Sequence, residues 1–378
     1  MYNMIIYDYL AKKGGPSGYL YNLKDNDKLN IISRGVLSSE ELNKKKVKKF
    51  LFIRSFLKKV RNTFRRNKKR EKFFLNNKDI LEKSLINHFH TTTTFEHAFK
   101  LLNLKNINIL MTHSPQPTHL ELGDALFVSK LSNKEQKKRV DKQKEVDIFS
   151  LKNADYVIFP CEEALSPYEE FFKEINFDYS KLRYVLTGVE PLLFNLNKNE
   201  FCQKNNISLN KKIISYIGRK NKIKGFDKFL DLARRFENTE DILFICGGVG
   251  MDTPNLKNLI DFGWTNDPGS IINASDFVLV PNRDTYFDIN MIQILSIGTP
   301  VITTPSGGNR WFLDKKSLNM FFFEDEKQLD TLVNEKIVLN FDKKVNIDFY
   351  NSHFTTEDFS KNYVSLFNDL VDKHEKNR

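Results

Sequence analysis

The sequence predicts an α/β fold made of two parallel-sheet units. Three observations carry this. Short apolar runs alternate with amphipathic stretches of helical period, the pattern of parallel strands joined by helical crossovers. The alternation pauses at a polar stretch near residue 200 and then restarts. Finally, 378 residues are too many for one small core and suit two domains of ordinary size.

Element by element, "NMIIYDYL" reads as a buried strand, followed by the turn-and-helix stretch "AKKGGPSGYLYNL". "KLNIISRG" reads as a second strand, and "SLINHFH", "INILMTH" and "ADYVIFPC" as three more. The pattern restarts with strand "KIISYIG", helix "KGFDKFLDLARRF" and strand "DILFICGG". Strands "NLIDFGW" and "DFVLVPN", helix "NMIQILSIG" and strand "PVITTPSGG" follow. The polar run "NLNKNEFCQKNNISLNKK" reads as the linker, and "TTEDFSKNYVSLFNDLVDKHEKNR" as one amphipathic helix capped by Thr355 or Thr356. The expected division is residues 1–200, 205–350, and a helix over 355–378 that crosses back to the first domain.

Composition narrows the function. Three scattered cysteines without a C-x-x-C argue for a reducing compartment and against structural zinc. "MYNMIIYDYL" lacks a basic n-region, and no apolar run approaches the ~20 residues needed to span a bilayer, so a cytoplasmic protein is expected. The net charge is +11, yet residues 44–72 alone carry fifteen Lys and Arg against one Glu, which leaves the remainder slightly acidic. A general nucleic-acid surface is therefore not expected.

In doubly wound sheets, ligands bind at the carboxyl ends of strands. Glycine-bearing turns at such ends let backbone N–H groups approach an oxyanion. One such turn holds Gly14, Gly15 and Gly18, without the G-x-G-x-x-G spacing. Another, "YIGRKNKIKGFDKF", sets Arg219 and Lys224 between Gly218 and Gly225, a fork of donors and a point charge suited to a diphosphate. Taken alone, two solvated surface cations are the more natural reading in a Lys-rich chain. A third, "ICGGVG", holds Gly248. A fourth runs from Pro281 to Gly298, with Asp284, Thr285 and Asp288 in a loop and Asn290 and Gln293 on a helix.

Together these stretches resemble glycosyltransferases of the GT-B fold, two Rossmann-like domains facing across a cleft, and within them family 4, a large retaining group. "GGPSGYLYNL" resembles the family's first glycine-rich loop, and "NADYVIFPCEEAL" and "LTGVEPLLF" its later first-domain segments. "YIGRKNKIKGFDKFLDLA" resembles its most specific motif, strand–Gly-Arg–spacer–Lys-Gly–helix. "FGWTND", "ASDFVLVPN" and "LSIGTPVITTPSGG" complete the series. The resemblance spans nearly the whole chain. It implies a first domain for the acceptor, a second for a nucleotide-sugar donor, and metal-independent retaining transfer with no cofactor. It also implies that Arg219 and Lys224 bind the diphosphate and that His113, in "LMTHSPQP", faces the donor sugar or its phosphate. His88 and His90 read as structural. The implied acceptor is a glycan or a lipid-linked molecule, in the synthesis of cell-surface polysaccharide or glycoconjugate.

The sequence departs from the family at two positions. The family's two glutamates, eight apart, fall at Thr285 and Gln293 when counted back from Gly298. Asp284 or Asp288 is then expected to supply the missing carboxylate, and Asp288 to point into the donor pocket. A catalytically weak homologue acting as a partner or glycan-binding subunit is the alternative. In the basic segment, Phe50, Ile53, Leu57, Val60 and Phe64 recur at helical spacing among cations. That is the form of an anchor for an anionic membrane surface, with a helix packed on the first domain as the other reading.

Overall fold

A computed structural model describes residues 2–6, 16–23, 30–33, 68–127, 129 and 131–376. By contacts the chain divides into two units. One comprises Met1–Phe159, Tyr168–Val185 and Ser360–Arg378, the other Pro160–Pro167 and Leu186–Phe359. The expected architecture of two parallel-sheet α/β units is present.

The first unit holds β1 (Tyr2–Ile6), β2 (Asn30–Ser33), β3 (Ile86–Phe89), β4 (Ile107–Leu110), β5 (Tyr156–Phe159) and β6 (Leu182–Tyr184) in the order β2-β1-β3-β4-β5-β6. All pairings are parallel. Every residue of β3 and β4 is buried, as expected of strands covered on both faces. Residues 68–76 are helical. The rest of the basic segment, including the stripe from Phe50 to Phe64, lies outside the described residues.

The second unit holds β7 (Lys212–Ile217), β8 (Ile242–Gly247), β9 (Leu259–Asp261), β10 (Phe277–Val280), β11 (Val301–Thr303) and β12 (Met320–Phe322), ordered β12-β11-β10-β7-β8-β9. Counted from its own first strand this is the 3-2-1-4-5-6 order of a dinucleotide-binding sheet. Alternate residues of β7 and β8 serve opposite faces. Ile214, Tyr216, Phe244 and Cys246 pack in one core cluster with the helix Phe226–Arg235. Ile213, Leu243 and Ile245 pack in another.

The polar stretch expected to be a linker is instead part of this unit. Asn197 caps the helix Lys198–Lys204 by accepting from the Glu200 N–H at 3.0 Å, and Glu200 returns the bond to the Asn197 N–H. That capping box starts a helix whose Phe201 and Cys202 are buried. Only two apolar side chains point inward, so composition alone reads as a linker. At the other end, the Thr355 hydroxyl accepts from the Asp358 N–H at 3.1 Å and starts the helix Thr356–Lys376. Among the described residues, no helix is long and apolar enough to cross a membrane.

Candidate functional site

In the second sheet, β7 and β10 are adjacent although the chain runs from β7 to β8 on one side and from β10 to β11 on the other. Loops leaving the carboxyl ends of such a pair diverge and leave a crevice. A pocket lies there, lined by Tyr216, Gly218, Lys224, Asn282, Asp288 and Asn290 among others.

Each polar group in it has a positional cause. Gly225 sits at φ 68, and a side chain there would overlap the Pro281 carbonyl. This close approach lets the loop after β7 lie against the loop after β10. Arg283 ties the same two loops by donating to the Lys222 carbonyl and by forking onto both carboxylate oxygens of Asp227, in the first turn of the following helix, at 2.6 Å each. Asn221 accepts from the Lys224 N–H at 2.8 Å. The half-buried Lys224 ammonium then lies 3.0 Å from Asp288 Oδ2. Asp288 caps the helix Ile289–Ile297, accepting from the Asn290 N–H at 3.0 Å, and also accepts from Asn282 Nδ2. Burial alone would raise the Asp288 carboxyl, but the Lys224 charge and the bonds from Lys224 and Asn282 outweigh it and hold the group below its ordinary value. Asn290 Nδ2 donates to the Ile217 carbonyl at 2.9 Å.

Of the sequence candidates, Gly218, Lys224, Asp288 and Asn290 are therefore brought together. Arg219 is exposed at the rim of the same turn, with its carbonyl accepting from the Tyr216 hydroxyl at 2.6 Å. Gly248 has a different use: a side chain there would overlap the Gly218 carbonyl, so it lets the loops after β7 and β8 touch. Thr285 is buried, and its carbonyl accepts from the Gly308 N–H at 3.2 Å. Asp284 and Gln293 are half-buried. None of Thr285, Asp284 and Gln293 lines the pocket. The carboxylate inside it belongs to Asp288.

Sequence reasoning passed over Lys220, one more lysine in a lysine-rich turn. It is 4% exposed, and its ammonium lies 2.5 Å from both oxygens of Asp261 and 3.1 Å from the Thr253 hydroxyl. A backbone bridge to Gly250 turns it inward. The stretch thus carries one structural cation, Lys220, between the exposed Arg219 and the pocket-lining Lys224.

In the first unit the strand order reverses between β1 and β3. Three histidines gather at the neighbouring strand ends: His88 and His90 from β3 and its end, and His113 after β4. His90 Nδ1 lies 2.7 Å from His113 Nε2. The two rings stack at 5.0 Å, and His88 lies 4.2 Å beyond His90. Tyr19, from the helix Pro16–Tyr21, meets the His113 ring edge-on at 4.5 Å. His113 holds a left-handed backbone at φ 56, a costly conformation for a non-glycine residue that marks a constrained site. Burial pushes His113 down to about 3, and His88 and His90 fall well below their ordinary values for the same first reason. The row is therefore neutral at physiological pH. His90, read as structural from sequence, is the direct partner of His113; the two lie 23 positions apart, and only the β3–β4 register brings them together. Gly18 is buried in the helix Pro16–Tyr21, while Gly14 and Gly15 lie outside the described residues.

Comparison with known proteins agrees with this geometry. Residues 211–335 match the family described as Glycosyl transferases group 1. Sucrose-phosphate synthase from Thermosynechococcus elongatus superposes with a TM-score of 0.63 at 14% identity, covering 99% of this chain and 100% of that one. HepE from Anabaena, solved in complex with UDP-glucose, gives a TM-score of 0.63 at 10% identity, with 97% and 99% covered. WaaG, a glycosyltransferase involved in lipopolysaccharide biosynthesis, gives 0.52 at 13% identity, with 98% and 99% covered. No curated protein matches the chain in sequence. The likeness to solved structures establishes the GT-B fold.

Proposed function

We propose, from the premise that this chain is a glycosyltransferase by fold and by its group 1 domain, that it moves a sugar from a nucleoside-diphosphate donor to a hydroxyl acceptor with retention at the anomeric carbon. The observation that carries the reading is the Lys224 pocket, a fixed cation at the switch point of a sheet ordered like a dinucleotide-binding domain. As the bond from the anomeric carbon to the phosphate oxygen breaks, the departing diphosphate gains charge. Lys224 and Arg219 would stabilise that charge, most strongly in the transition state. The acceptor oxygen bonds the same face of the anomeric carbon, and its proton passes to the leaving phosphate. Asp288 keeps the lysine aimed, and Asn290 offers an amide edge beside it. Retention is supported by the family 4 resemblance. In this reading no metal takes part, because the two cations carry the charge.

The test is a panel of UDP-, ADP-, GDP- and dTDP-sugars with the purified protein. One of them should raise the melting temperature; a ligand present at 100 times its Kd stabilises by ~2.7 kcal/mol. The same one should yield free nucleoside diphosphate slowly without acceptor. A panel in which no nucleotide sugar shifts the melt or is hydrolysed would overturn the reading.

The acceptor class we propose is a glycan or lipid-linked molecule, reached from the cytoplasmic face by a protein held peripherally through residues 44–72. The support is the apolar stripe within fifteen cations. The full chain should float with anionic vesicles at 0.1 M salt and largely detach at 1 M, where the Debye length falls from ~10 Å to ~3 Å. Absence of flotation at either salt would retire the membrane part alone.

A further inference from the structure

The histidine row of the first unit carries an inference about proton placement. His113 and His90 share one hydrogen bond at 2.7 Å, between His113 Nε2 and His90 Nδ1. Both rings are neutral, so each carries one proton, and one of the two must donate. If His113 donated, the His90 proton would sit on its Nε2. Among the described residues that buried atom has no partner. An orphaned buried N–H is rarer than an under-satisfied acceptor. The alternative makes His90 Nδ1–H the donor and leaves only a lone pair at the orphaned Nε2. His88 does not relieve the problem, because both of its own ring nitrogens are buried and, among the described residues, unpartnered. Among the described residues no group of three or more His, Cys, Asp or Glu is placed to hold a metal ion.

We propose that His90 is a positioning residue that fixes the proton of His113 on Nδ1, so that His113 presents a neutral N–H donor to a substrate oxygen that reaches the first unit. This rests on the glycosyltransferase reading given above. His113 accepts at Nε2 from His90, which leaves Nδ1 as the other polar atom of the ring. Tyr19 packed edge-on and the stacked His90 hold the ring plane, and the positive φ fixes the direction from which the side chain leaves the backbone. A neutral donor suits a hydroxyl or phosphate oxygen at any pH where the enzyme works. A lone pair at the same place would repel a phosphate oxygen, which can only accept.

The experiment reads the proton directly and then its consequence. Long-range 1H–15N spectra of protein labelled at histidine, with the His113 signals identified by their loss in His113→Gln, should show Nδ1 protonated and Nε2 bare. His90→Asn keeps an N–H close to the original Nδ1, whereas His90→Leu is of similar size and removes it. His90→Asn should hold the tautomer and stay within about threefold of parental kcat. His90→Leu should gain the Nε2–H tautomer and lose about tenfold in kcat, the scale of one neutral hydrogen bond. Protonation of Nε2 in the parent spectrum would overturn the proposal even if the variants fail to fold, as would His90→Leu retaining both tautomer and kcat. The spectrum needs no substrate. If no nucleotide sugar is turned over, the functional reading falls while the tautomer assignment is still decided.

Discussion

Replacing Lys224 with alanine should cut turnover of the donor about a hundredfold, the ~3 kcal/mol scale of one preorganised group aimed at developing charge. The expectation rests on how the lysine is held. Its backbone is fixed by Asn221, its ammonium by Asp288 at 3.0 Å, and it is half-buried. Little reorganisation is then needed when charge appears on the leaving diphosphate. Arg219 is exposed, so solvent and salt screen it; Arg219→Ala should cost nearer tenfold and weigh more on KM. Lys224→Ala also deprives the buried Asp288 of its countercharge. The Asn282 and Asn290 bonds remain, so the variant should melt earlier but fold. Steady-state rates measured well below both melting points decide the matter, and parental turnover in Lys224→Ala would remove the diphosphate assignment.

Replacing Asp261 with alanine should destabilise the second unit by about 3–5 kcal/mol, the cost of leaving a buried charge without its partner. Lys220 is the stranded group, 4% exposed and otherwise reaching only the Thr253 hydroxyl and the face of Phe226 at 5.4 Å. The converse change, Lys220→Met, should cost only ~1 kcal/mol. Asp261 is partly exposed and keeps a bond from the Gly263 N–H at 2.7 Å. Burial alone would raise the Asp261 carboxyl, but the bonds from Lys220, Thr253 and Gly263 lower it to about 2. Its contribution is therefore fully present above the ordinary carboxylate pKa of about 3.9 and is lost as the pH falls towards 2. Urea melts of parent and Lys220→Met should converge over that window. If Asp261→Ala melts with the parent, the pair does not hold the turn.

The strands and the cation-bearing turn were legible because periodicity and glycine placement are local properties. What was not legible depends on contacts between distant segments. Arg219, Lys220 and Lys224 look alike in sequence. Only the bridge to Gly250 turns Lys220 inward, and only Asp288, 64 positions away, fixes Lys224. Counting back from Gly298 singled out Thr285 and Gln293, but the helix Ile289–Ile297 begins at Asp288, and its cap places that carboxylate in the pocket. Asp288 lines that pocket and Asp284 does not. The helix hidden in the polar stretch had a local sign after all, the N-x-x-E spacing of Asn197 and Glu200, outweighed there by polar composition.

The first unit is closed by the last residues of the sequence. Tyr363, Phe367 and Leu370 are fully buried; the Tyr363 hydroxyl lies 2.7 Å from that of Tyr19, and Phe367 meets Tyr2 edge-on at 5.2 Å. A growing chain must therefore carry an open amino-terminal sheet while residues 186–359 are made. At ~5–20 residues per second that wait is on the order of ten to forty seconds. The second unit holds β7 to β12, the last of them complete at Phe322, so its sheet can assemble before the closing residues are made. Vectorial synthesis thus favours the later half maturing first, and makes the unfinished earlier half the species that chaperones would meet.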